Sequence, residues 1–235
     1  MGRAPDRLTP DEARGMIRRM VNGRSKATRT RAWLAVMSVV ALVGAACSPP
    51  PDIRGLQNLS RGYEEELLRW TSSSRVYHGL DRVMFVHATY LSPKFRQAFG
   101  VQYLAVFGID PGKVDSDLER LATSEGRGLE FFVFMDTSDY SWNNLDERGS
   151  VWRMALWGGA DQLGTPPASI HRFKGRGPNL QAFFPYLNGY GRSYLVTFPL
   201  QQANGNPILS ESGGSLVIRL SSAFGVAELS WRVGT

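Results

Sequence analysis

The 235-residue chain is 43% apolar, enough to bury a core, and its length suits one domain plus processing segments. A formal charge of +6 ordinarily points to an acidic partner, yet residues 1–46 hold nine of the 27 Lys/Arg and only three of the 21 Asp/Glu. From Cys47 onward there are 18 of each, and this neutral body lacks the basic footprint of a nucleic-acid binder.

Residues 1–31 form a basic leader. Thr9-Pro10-Asp11-Glu12 has capping-box spacing, with Thr9 as N-cap, Pro10 at the first helical position and Glu12 at the third. It predicts a short helix to about Met20. The leader is either an extended n-region or lies upstream of a translation start at Met20. The second is expected, because Arg24, Lys26, Arg29 and Arg31 then precede the apolar run at ordinary signal-peptide length. That run, 32–46, is fifteen uncharged residues, short of the ~20 that a helix needs to cross a bilayer. It closes on small residues and the one cysteine, which is the layout of an export signal. A single Cys excludes an internal disulfide and a Cys-based metal site, leaving Cys47 as a small core residue or a modified one. In residues 47–54, Ser48-Pro49-Pro50-Pro51-Asp52 holds extended geometry and predicts a stiff spacer.

Gly44-Ala45-Ala46-Cys47 resembles the lipobox of bacterial lipoprotein precursors, with Gly44 standing where that family usually has Leu. The resemblance implies that Cys47 is lipidated and becomes the first residue of the mature protein. One acyl chain holds a protein only marginally, at about 0.8 kcal/mol per buried methylene, whereas several anchor it firmly. Ser48, not Asp, follows the cysteine, which by the same resemblance implies the outer membrane, facing the periplasm or alternatively the cell surface.

Residues 55–235 read as one exported domain. Leu56, Leu59, Tyr63, Leu67 and Trp70 fall at helical spacing and predict a helix over 55–70. Thr71–Ser74 is expected to break the chain. Arg82–Leu91 is rich in β-branched and aromatic residues and predicts a buried strand. Ser92-Pro93 then signals a helix start ahead of Phe95 and Phe99. Asp110-Pro111-Gly112 predicts a turn, and Val114, Leu118, Leu121 and Ala122 predict a second helix with acidic residues near its start.

From Gly126 the period changes to two. Strands are expected at Leu129–Met135, Val151–Trp157, Ser169–Phe173, Gln181–Tyr186, Tyr194–Leu200, Ser215–Leu220 and Val226–Val233. Asn204-Gly205 signals a tight turn, and Ala223–Gly225 a hairpin. In the last strand Ala227, Leu229, Trp231 and Val233 alternate with polar residues, one face dry and one wet. The expected fold is mainly β, an antiparallel sandwich of seven to eight strands, with N-terminal helical additions covering one edge or open end.

Catalytic motifs are sparse: there is no Gly-x-Ser-x-Gly elbow, no phosphate loop and no His-Glu-x-x-His, and nothing implies a cofactor. His87 shares a strand face with Phe85 and Thr89 and is expected to be a hydrogen-bonded structural residue. Asp136 and Asp139, with Asn143, Asn144, Asp146 and Glu147, form the densest oxygen-ligand cluster. Their spacing does not match an EF-hand, and Asp and Asn also dominate ordinary turns, so they stand only as weak metal candidates. Trp142, Trp152, Trp157, Phe183, Phe184, Tyr186, Tyr190 and Tyr194 are expected mainly to pack a core, with glycan stacking as the alternative. Glycines open the segment Gly189–Tyr194, which makes Trp142, Tyr186, Tyr190, Arg192 and Tyr194 the candidate ligand-binding set.

His87–Arg96 and Phe183–Tyr186 also resemble segments of uncharacterised bacterial lipoproteins, a resemblance that implies no activity. Three roles follow. The first is a non-enzymatic structural or binding module held to the membrane by lipid, with an envelope protein or glycan as partner. The second is an envelope hydrolase of glycan or peptide with Asp136 and Asp139 as acid and base, which needs paired carboxylates about 5–10 Å apart in a cleft. The third is a periplasmic small-ligand carrier, which needs a deep apolar cavity between the sheets.

Overall fold

The computed structural model describes residues 59–110, 113, 116–123, 128–158, 163–174 and 178–234, all within the compact unit Ser48–Thr235. The leader, the apolar run, Cys47, the proline spacer and Leu56 lie outside the described residues, as do Pro111, Gly112, Val114 and Asp115.

The first helix, α1 (Arg61–Trp70), begins later than the apolar spacing predicts. Ser60 takes an extended backbone and its hydroxyl accepts from Tyr63 N–H at 3.4 Å, so it is the N-cap. The expected stripe is otherwise present, with Tyr63, Leu67 and Trp70 buried. Thr71–Ser74 does not break the chain; it opens β1 (Thr71–His78). Serine favours turns only when its hydroxyl captures nearby backbone. Here the backbone is claimed by pairing with β2 (Asp81–Tyr90), and the Thr71 and Thr89 hydroxyls bond each other at 2.8 Å.

Ser92 caps α2 (Pro93–Phe107) by accepting from Phe95 N–H at 3.1 Å. The helix stops at Gly108, whose φ of 67° is left-handed and whose N–H bonds Leu104 O at 2.8 Å. After α3 (Ser116–Ala122) come β3 (Leu129–Thr137), a 3-10 turn (Tyr140–Trp142), β4 (Arg153–Gly158) and β5 (Ser169–Arg172). Next is α4 (Pro178–Phe183), which corrects the strand expected at Gln181–Tyr186. The chain ends with β6 (Arg192–Phe198), β7 (Gly213–Ser222) and β8 (Gly225–Gly234).

Among the described residues eight strands form two antiparallel sheets, ordered β1-β2-β3-β6-β5 and β4-β7-β8, and the expected sandwich is present. The two sheets also meet at an edge, where Ser230 N–H donates to the Ser72 hydroxyl at 3.1 Å and occupies a donor of β8 that would otherwise face outward.

The helices cover a face of the five-stranded sheet rather than an edge or an open end. On that face Phe132 lies 4.6 Å from Phe184, and Phe184 in turn packs on Phe95 and Phe99 of α2. On the opposite face Phe131 lies 5.0 Å from Trp231 of β8. Strand β3 is therefore covered from both sides, and Leu129 through Asp136 are all buried instead of alternating. Each fully buried aromatic contributes about 1.5–3 kcal/mol from its area, with about 0.5–1.5 more per well-placed ring pair, so this layer dominates the domain's stability.

One ion pair is locked into that layer. Arg96 of α2 reaches Glu130 of β3 at 2.7 Å, with both side chains buried, and also donates to Leu91 O, Arg120 O and Thr123 O. The bridge ties α2 and α3 to the central strand.

Candidate functional site

The ends of β3 and β5 and the start of β6 coincide, because Met135 pairs with Arg192 and Arg172 with Tyr194. The chain enters β6 through Leu187–Gly191. Asn188 shapes this loop by accepting from the N–H groups of Tyr190 at 2.9 Å and Gly191 at 3.0 Å, and Gln181 of α4 donates to Leu187 O at 2.8 Å. Gly191 must be glycine: a Cβ there would sit 2.2 Å from Phe134 Cζ and 2.7 Å from Met135 O.

At this corner a cavity of about 440 Å³ opens. Buried Phe134, Phe173, Leu180 and Leu187 line its apolar part. Its polar lining comes from Tyr140, Arg172, Lys174, Gln181, Asn188, Arg192 and Ser193. Three of these are cations, and no carboxylate lines the cavity among the described residues.

Arg192 is held in place from several sides. Its guanidinium donates to Asn143 O, its Cζ lies 4.0 Å from the centre of the Tyr140 ring, and its buried Nε has no hydrogen-bond partner. Asn143 is itself fully buried; its Nδ2 donates to Met135 O at 2.6 Å, and it accepts from the Tyr194 hydroxyl at 2.9 Å. The hydrogen bond and charge of Arg192, reinforced by Arg172, lower the pKa of the exposed Tyr140 phenol.

Of the candidate residues, Arg192 alone lines the cavity. Tyr194 is buried beside it and serves Asn143; burial pushes its phenol up to about 12. Tyr190 is 80% exposed on the same loop but outside the lining. Trp142 stacks on Phe224 at 4.3 Å, at the margin of the core. Tyr186 is buried, with its hydroxyl 2.7 Å from that of Thr89.

Neither Asp136 nor Asp139 lines this cavity. Asp136 is buried near Arg82 at 3.5 Å and accepts from Asn188 Nδ2 at 3.4 Å. Asp139 is exposed and caps the 3-10 turn through Ser141 N–H and hydroxyl, which lower its pKa. Among the described residues no group of three His, Asp or Glu side chains is placed to hold a metal.

His87 differs from expectation. It is 2% exposed, and neither ring nitrogen has a hydrogen-bond partner. It is held by aromatic packing instead, between Phe85 at 4.2 Å and Tyr186 at 4.7 Å. Burial, with the Arg75 charge adding to it, lowers its pKa to about 4 and keeps the ring neutral.

Tyr140, Arg172, Lys174 and Asn188 carry no sequence signal as a set, since they come from three separated segments. The nearest local clue is Gly189-Tyr190-Gly191, which places an open loop beside Arg192.

Fold and site together define an antiparallel β-sandwich domain with one helix-covered face and a basic cavity at a sheet corner. No protein-family profile, no curated protein and no solved structure matches the chain.

Proposed function

We propose that this chain is a cell-envelope lipoprotein, tethered by lipid at Cys47, whose β-sandwich domain is a binding module for a small ligand. The anchoring half of this reading rests on the export-signal layout of residues 32–46 and the cysteine that ends it. The binding half rests on one observation: the cavity of about 440 Å³, which combines a buried apolar lining with convergent basic side chains, falls in the ordinary size range of ligand sites. Asp136 is engaged with Arg82 and Asn188 and Asp139 with Ser141, and neither lines the cavity, which favours binding over hydrolysis.

Metabolic labelling with tritiated palmitate tests the anchor, followed by denaturation of the purified chain and mass spectrometry of whatever it releases. Wild type is expected to carry label in the membrane fraction and to release a small molecule, whereas Cys47→Ala loses the label. An unlabelled wild-type chain that retains residues 1–46 overturns the anchoring half. A labelled chain that releases nothing, and takes up none of a panel of small molecules, overturns the binding half.

A further inference from the structure

We infer that the cavity takes an anionic organic molecule, whose carboxylate or phosphate sits against Arg172 and Arg192 and whose apolar body lies on Phe134, Phe173, Leu180 and Leu187. This rests on reading the cavity as a binding site and adds the class of ligand.

Three observations carry it. The first is charge: Arg172, Lys174 and Arg192 converge on one cavity, in a domain whose sequence from Cys47 onward is balanced as a whole. Asp136 accepts from Asn188 and lies within 3.5 Å of Arg82, Asp139 accepts from Ser141, and neither lines the cavity. A concave site lined by one sign of charge concentrates the opposite sign, and guanidinium forks match the planar oxygens of carboxylate and phosphate.

The second is preorganisation. Arg192 is fixed by Asn143 O and by the Tyr140 ring, so little side-chain freedom remains to be lost on binding. The lowered pKa of the Tyr140 phenol reports the same positive field at the cavity's edge.

The third is size. A cavity of about 440 Å³ lies in the range of sites for small organic ligands and is far larger than a bare phosphate fills. The buried phenylalanines and leucines give the remaining volume an apolar wall, which suits a ring or short chain behind the charged group.

The test is calorimetric titration of the full chain in detergent with three probes: phenyl phosphate, neutral benzyl alcohol and inorganic phosphate. Phenyl phosphate is expected to bind at least tenfold more tightly than either of the others. Arg172→Gln and Arg192→Gln are each expected to weaken it tenfold or more, and rising salt weakens it further. Arg172→Gln serves as the control for folding, because Arg172 lies on an edge strand and, unlike Arg192, is not bonded to buried Asn143.

Benzyl alcohol binding as tightly as phenyl phosphate, or affinity unchanged in both variants, overturns the anion assignment while leaving a binding module. Inorganic phosphate binding equally well overturns the apolar body. If none of the three binds and the wild-type chain also releases no small molecule on denaturation, the cavity is not a ligand site at all.

Discussion

The guanidinium carbon of Arg192 lies 4.0 Å from the centre of the Tyr140 ring, joining the first residue of β6 to the turn that follows β3. A hydrogen bond from Arg192 and then its charge are the main reasons the Tyr140 phenol sits below its ordinary value. Arg192→Gln is therefore expected to move the Tyr140 titration upward. Spectrophotometric titration checks this, with Tyr140→Phe identifying which phenol is being read. A Tyr140 transition that stays in place contradicts the contact.

His87 makes stability depend on pH. Its folded pKa of about 4 lies below the unfolded value of 6.5, so between those values the unfolded chain binds the extra proton. This contribution is whole above pH 6.5 and is lost as pH falls toward 4, with a total of about 3 kcal/mol at ~1.4 kcal/mol per pKa unit. Urea unfolding from pH 7 to pH 4 should show the decline, and His87→Leu should flatten it. An equal slope in the variant would place the effect elsewhere.

The Arg96–Glu130 bridge at 2.7 Å is buried, so removing one partner strands the other. Arg96→Met is expected to cost about 3–5 kcal/mol. Glu130→Gln keeps an accepting oxygen and should cost less, about 1–3 kcal/mol. Chemical denaturation of both variants measures the difference. A loss below about 1 kcal/mol for Arg96→Met would show that the bridge does not tie the helix layer to β3.

Gly191→Ala puts a methyl group 2.2 Å from Phe134 Cζ, in a wall that also lines the cavity. Overpacking of this kind costs about 1–3 kcal/mol and shifts the loop. The variant should melt lower and bind phenyl phosphate more weakly, whereas Gly189→Ala, which meets nothing within 4 Å, should leave melting unchanged. Equal melting of the two variants contradicts the close approach.

Local pattern made parts of this fold legible and left others hidden. Alternation in β8, the Ser92-Pro93 start of α2 and the apolar run of β2 are short-range signals, and each is where the residues place it. The serines of β1 read as a break because their preference is for turns, whereas pairing along the whole of β2 decides their conformation. Gln181–Tyr186 reads as a strand from its aromatics, although Pro178 is a helix-start signal that marks α4. Periodicity put His87 on the right face, but partners cannot be read from a face, and its packing between two rings emerges only in three dimensions. The cavity is hidden for the same reason: Tyr140, Arg172, Lys174 and Arg192 meet only because β3, β6 and β5 pair in one register.

The most direct measurement of a basic binding cavity at this corner is a backbone amide shift map of the full chain titrated with phenyl phosphate. The account predicts that the moving resonances concentrate at Tyr140, Arg172–Lys174 and Leu187–Ser193, with the β7–β8 hairpin unmoved. Shifts spread over the surface, or gathered on that hairpin instead, would contradict it.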